Sequence, residues 1–229
     1  MTIERALRLP LDWYDGTASA MQTIQNNAQD PEFYLDLIDA ILHELGARDA
    51  AIELNTTLEQ GGSIWRVVSV DGPRDFQYGL ERRVEGAVAE SARQVMASSG
   101  RAGQHLQTAW QAAYGRNPKP TEAYWESVRA VEAAGKPIVS PANEATTLGT
   151  MIAALAAAPT KWRMNLQPKA GVDPVETLIA MMRLLWKSHT DRHGTPDEAV
   201  EVSASEAQAA LHLAVTLVQW FSAGSVIRV

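Results

Sequence analysis

The chain has 229 residues, enough for one large domain or two small ones, and 46% hydrophobic with 21% charged residues describes a packed globular protein rather than a disordered one. It contains no cysteine, which excludes disulfides, thiolate metal sites and a cysteine nucleophile and fits a cytoplasmic setting. The formal net charge is −7 with no basic stripe, which argues against an extended DNA-binding surface, because phosphate neutralisation supplies much of the affinity for a duplex.

In chain order, residues 1–10 carry Glu4, Arg5 and Arg8 without a continuous apolar run, so no signal peptide is expected. A helix is predicted over 31–45. Phe33, Leu37, Ile41 and Leu45 recur every fourth residue, Asp30 stands as its cap, Pro31 as its first residue and Gly46 as its stop. Residues 63–70 are rich in β-branched and aromatic side chains. The turn-forming Asp71-Gly72-Pro73 and then Phe76-Gln77-Tyr78 follow, which predicts a small β-hairpin.

From Arg83 the pattern is read as helical to the end. Val84, Val88, Ala92, Val95 and Met96 form one stripe, Gly100 and Gly103 break or bend it, and Leu106, Ala109 and Trp110 resume it. Further helices are predicted over 121–134 and around Leu148, Met151, Ile152 and Leu155. Asp173-Pro174-Val175-Glu176 and Ser203-Ala204-Ser205-Glu206 are start signals for the last two. The final stripe, Ala207, Leu211, Ala214, Val218 and Phe221, is thickened by Leu213, Leu217 and Trp220, as for a helix covered on two sides. Its apolar run is too short to span a bilayer.

Four ordered segments bear on identity. They are Leu106-Gln107-Thr108-Ala109-Trp110 with Tyr114-Gly115-Arg116-Asn117-Pro118; residues 123–133, with their Ala-Val-Glu-Ala run; residues 145–152, with Thr-Leu-Gly; and residues 184–194, ending in His193-Gly194. In this order they resemble the C-terminal domain of abortive-infection proteins, a helical family related to the HEPN ribonucleases. The likeness covers about 85–228, and the chain divides on this reading into an N-terminal helix-and-hairpin segment, 1–82, and a HEPN-like helical domain, 83–229.

The resemblance implies a mainly α bundle, often dimeric, acting in phage defence or phage exclusion without a cofactor or a metal. Its relatives cut RNA with an arginine and a histidine that meet across a dimer cleft, the histidine moving a proton and the arginine steadying phosphate charge. Here His193 matches the histidine, while Trp186 and Lys187 stand where the arginine and asparagine are expected. Arg192 and Lys187 are the cations left beside His193, and lysine lacks the planar fork of arginine. These three residues are the candidate catalytic set. Arg183 and His189, six positions apart, would point about 240° apart on a continuous helix. His189, Asp191 and His193 alternate as metal ligands would, without a fixed scaffold.

Plainer readings stand beside these. Trp110, Trp125, Trp186 and Trp220 suit core packing better than base stacking, and Glu122, Glu126 and Glu132 read as exposed helix residues rather than general bases. Two functions follow: a non-catalytic module that senses a phage component or binds a phage or host protein, with Trp186 as its mark, or a metal-independent ribonuclease acting on RNA as a homodimer. No membrane partner is expected.

Overall fold

The computed structural model describes residues 17–27, 29–70, 77–143, 145–190 and 202–229. The chain is mainly helical with a small antiparallel hairpin in its N-terminal part. The helices are α1 (Thr17–Asn26), α2 (Pro31–Leu45), α3 (Arg48–Gln60), α4 (Gly86–Ser98), α5 (Gly100–Tyr114), α6 (Pro120–Val139), α7 (Leu148–Ala157), α8 (Pro174–Thr190) and α9 (Ala204–Ser222). The strands are β1 (Trp65–Val70), β2 (Gln77–Arg82), β3 (Trp162–Met164) and β4 (Val226–Arg228).

Contacts divide the chain into two compact units. One holds the described residues up to Val84 together with Tyr114–Asn117; the other holds Glu85–Ala113 and Pro118–Val229.

In the first unit α2 forms as its sequence signals dictate. Asp30 accepts a hydrogen bond from the Glu32 amide, Pro31 opens the helix, and Gly46 closes it at φ 55, a left-handed conformation that a β-carbon would disfavour. β1 and β2 pair in register from Trp65 opposite Arg82 to Val70 opposite Gln77, and the turn between them lies outside the described residues. Both strands are pinned by helix side chains, and β2 also makes a single antiparallel bridge from Glu81 to Gly115. Asn55 of α3 accepts from the Val67 amide at 3.0 Å, and Asp39 of α2 accepts from the Leu80 amide at 2.7 Å. An unpaired strand edge invites aggregation, and these side chains blunt it. Leu42, Ala51 and Leu80 centre the core, with Leu54, Leu58, Trp65, Val67 and Tyr78 around them. Helix α3 is absent from the sequence reading. It has no side-chain cap at Ala47, and Ala51 is its one buried residue among thirteen, so its apolar signal is faint.

In the second unit α9 packs chiefly on α6. α6 presents Ala123, Ser127, Ala130, Val131 and Gly135, and α9 presents Ala207, Ala210, Leu211 and Ala214, all buried. Small side chains on both faces let two helix backbones approach closely. Leu106, Leu148, Met151, Leu155, Leu178, Met182, Leu185, Leu217 and Phe221 complete the core, each fully buried. Both late start signals operate: the Asp173 carboxylate accepts from the amides of Val175 and Glu176, and the Ser203 hydroxyl accepts from Glu206.

Three expectations need correction. Val88 is 44% exposed, and the buried stripe of α4 is Ala89, Ala92 and Val95, three and four residues apart on one helix face. The break falls at Gly100 alone (φ 53), whereas Gly103 lies inside α5 where a β-carbon would stand 1.9 Å from the Met96 carbonyl oxygen. Nor is the chain helical to its end. After the turn at Gly224, Val226–Arg228 pairs with Trp162–Met164, Val226 opposite Met164, and closes a second two-stranded sheet.

Candidate functional site

His193 and Arg192 lie outside the described residues, as does Asp191. Lys187 falls in the last part of α8, and so does His189, but their side chains are likewise outside them. The motif can be followed as far as Trp186, which is half-buried on α8. Its indole packs on the start of α7: a β-carbon on Gly149 would stand 2.8 Å from Trp186 Cε2 and 3.0 Å from Nε1. Two segments far apart in the sequence, Thr147-Leu148-Gly149 and the one that begins at Leu184, therefore meet in one joint. It needs a glycine on one side because a flat aromatic ring occupies the other. Tyr124, on α6, donates its hydroxyl to the Leu185 carbonyl at 2.7 Å and ties the same part of α8 to a third helix.

A second polar cluster lies on α5 and α6. His105 Nδ1 is 2.6 Å from Glu126 Oε2, and Arg129 donates to Glu126 Oε1 at 2.7 Å, so one carboxylate holds an imidazole and a guanidinium. Three residues separate Glu126 from Arg129, which puts them on neighbouring turns of one helix face. One turn further on, Glu132 Oε1 accepts the Leu148 amide at 2.7 Å and caps α7 from a different helix. Burial pushes the Glu132 carboxyl above the ordinary range; the Leu148 amide, Arg129 and His105 pull it back only in part. Glu126 and Glu132 are thus joint residues rather than freely exposed ones, while Glu122 is exposed as expected. A histidine oriented through Nδ1 has its Nε2 left to exchange a proton, the arrangement used in acid–base chemistry. Here two carboxylates surround it, an environment that disfavours an anionic substrate. The His105–Glu126 pairing spans two helices and has no local spacing in the sequence; only the Glu126–Arg129 half was legible as a pair on one helix.

The first unit holds a third cluster. Arg116 donates to the Glu32 side chain at 2.7 Å and to its carbonyl at 3.1 Å, approaches Asp36 at 2.8 Å without hydrogen-bond alignment, and lies over the Trp65 ring at 5.3 Å. Glu81, buried on β2, is ion-paired with Arg66. Burial raises the Asp39 carboxyl above the usual range, opposed by its bond from the Leu80 amide and by His43 and Arg116. Burial, and next the Glu81 charge, raises the Tyr114 hydroxyl. Arg116, part of the Tyr-Gly-Arg-Asn-Pro segment, is thereby committed to a structural clamp.

Other sequence readings resolve simply. Trp110 is buried and meets the His212 ring edge-on at 5.9 Å; burial holds His212 below its ordinary value. Among the described residues no group of three or more histidine, aspartate or glutamate side chains is placed to hold a metal ion, and no helix is long and apolar enough to cross a membrane. In the second unit, clefts of about 410 and 620 Å³ open beside β3 and the first turns of α8.

Comparison of the chain with protein-family models, with curated proteins and with solved structures found no match. The class that fold and clusters define is a mainly helical protein in which several buried or half-buried polar side chains join one element to another.

Proposed function

We propose that the chain is a non-catalytic interaction module of phage defence or phage exclusion, a degenerate relative of the abortive-infection C-terminal and HEPN-like helical domains, working in the cytoplasm as a homodimer. Two supports carry the reading. The four ordered sequence segments bring the defence class, and the packing of Trp186 on Gly149 bears on catalysis: the position where the relatives place an arginine is used here to seat α7 against α8. A neutral indole in a helix joint cannot steady phosphate charge as a guanidinium does.

The test compares efficiency of plating for phages on cells expressing the wild-type chain or His193→Ala, with RNA integrity followed in the same cultures. Full protection by His193→Ala without RNA breakdown is the expected outcome. Loss of protection together with loss of chelator-resistant RNA cleavage would overturn the proposal and install the ribonuclease reading, with His193, Arg192 and Lys187 as its site.

A further inference from the structure

The cleft of about 410 Å³ is lined by every residue of β3 and, across from it, by Pro174, Val175 and Glu176 of α8. Successive side chains of a strand point to opposite faces, so a cleft that touches all of them runs along the strand's edge and not over one face. β4 holds the other edge and lines no part of this cleft, which therefore follows the outer edge of β3. The bonds to β4 identify the main-chain groups found there. Val229 donates to the Lys161 carbonyl at 2.9 Å and Asn165 donates to the Ser225 carbonyl at 3.1 Å, so positions 161, 163 and 165 face β4. In an antiparallel pair the positions between them turn outward, and these are Trp162 and Met164. The Trp162 amide is bonded to the Pro159 carbonyl. Among the described residues, the Trp162 carbonyl and both main-chain groups of Met164 have no hydrogen-bond partner. The hairpin of the first unit is finished differently: its outward amides at Val67 and Leu80 are taken by Asn55 and Asp39. An edge left open is a template for another strand.

We propose that the outer edge of β3 is a strand-addition site, where an extended peptide segment of a partner protein pairs its main chain with the Trp162 carbonyl and with the amide and carbonyl of Met164. β3 then becomes the middle strand of three, and main-chain hydrogen bonds supply the recognition. The inference rests on the interaction-module reading and names the surface through which the module would act. Charge does not select the peptide, because the cleft carries Arg163 against Asp173 and Glu176, and Asp173 is already engaged by two amides at the start of α8. Trp162 and Met164 are buried, so the strand offers the cleft its main chain rather than their side chains. A second copy of the chain is the poorer occupant. β3 has three residues, and a ladder about 10 Å long buries far less than the roughly 1,200 Å² of a stable pair of subunits. Its edge is also set back in a cleft, where a single extended chain reaches it and the equally recessed edge of a second copy does not.

Amide hydrogen exchange, followed residue by residue by NMR on the full chain, reads the edge directly. In the free chain the Asn165 amide, bonded to β4, should exchange slowly and the Met164 amide about tenfold faster or more. Acetylated and amidated hexapeptides without charged side chains, alternating threonine with valine, tyrosine or leucine, would then be added up to about 1 mM. At least one of them should slow Met164 exchange about tenfold and leave Asn165 as it was. The same peptides N-methylated at every residue keep their side chains but have no amide to donate, and they should leave Met164 unchanged. A Met164 amide already as slow as Asn165 in the free chain, slowing by none of the unmodified peptides, or equal slowing by the N-methylated ones would each overturn the proposal. So would slowing that follows protein concentration without peptide, which would put a second copy on the edge. The two readings fail separately. Unprotected Met164 beside an active His193→Ala removes the strand site and leaves the module, whereas plating lost with His193→Ala removes the module whatever the exchange shows.

Discussion

Gly103 and Glu132 show how single atoms constrain this chain. At Gly103 the Met96 carbonyl oxygen occupies the space a methyl group would take, and both partners are backbone, so neither yields by turning a rotamer. Gly103→Ala should lower stability by about 2 kcal/mol in urea denaturation, even though alanine is the better helix former. Glu132 behaves differently because its carboxyl is raised by burial. The folded chain holds that proton more tightly than the unfolded chain does. The group's contribution to stability therefore falls as pH climbs from the ordinary glutamate value of 4.5 toward the raised one, and stays low above it. Glutamine keeps an acceptor for the Leu148 amide and does not titrate. The melting temperature of Glu132→Gln minus that of wild type should grow as pH rises through this window; parallel curves would contradict the assignment. Tyr124→Phe should cost about 1 kcal/mol, the loss of one buried hydrogen bond to the Leu185 carbonyl, measurable by the same denaturation.

At the scale of elements, the well-capped helices were the legible ones. α2, α8 and α9 announce themselves because a capping side chain, a proline or a serine, and a period near 3.6 coincide in a dozen residues. α3 and the pairing of β3 with β4 were hidden for the opposite reason. A helix with one buried residue has little periodicity, and three-residue strands 62 positions apart carry no local signature of each other. The arm between β3 and α8 offers a direct check of its turn. Ala170 pays the cost of a left-handed backbone, about 1–2 kcal/mol, and precedes a glycine, which suits an Asn-Gly turn. Ala170→Asn should raise the melting temperature by roughly 2–4 °C in a chain of this length. Removing residues 226–229 should act the other way. It strips the buried Val226, the pairing to β3 and the Arg228 guanidinium from the Trp162 ring, for a loss of about 2 kcal/mol or more by calorimetry.

For the whole molecule, charge is the property read most directly from composition. With 20 lysine and arginine residues against 27 aspartate and glutamate, and a sequence pI near 5.3, solubility should pass through a minimum close to that pH. Turbidity across pH 4–8 measures it.

The sequence by itself determined the helical class, the hairpin, the ends of the capped helices and most of the buried stripes, because these depend on interactions within about four residues along the chain or on alternation along one strand. What only the tertiary structure decided are the relations between distant positions. Trp186 is seated against Gly149, His105 is held by Glu126, Glu132 caps a helix other than its own, and Arg116 clamps α2. Each joins residues between 21 and 84 positions apart, or 16 and 37 in the two joints at the start of α7. Over such separations no local propensity acts, and only packing of the folded chain brings the partners together.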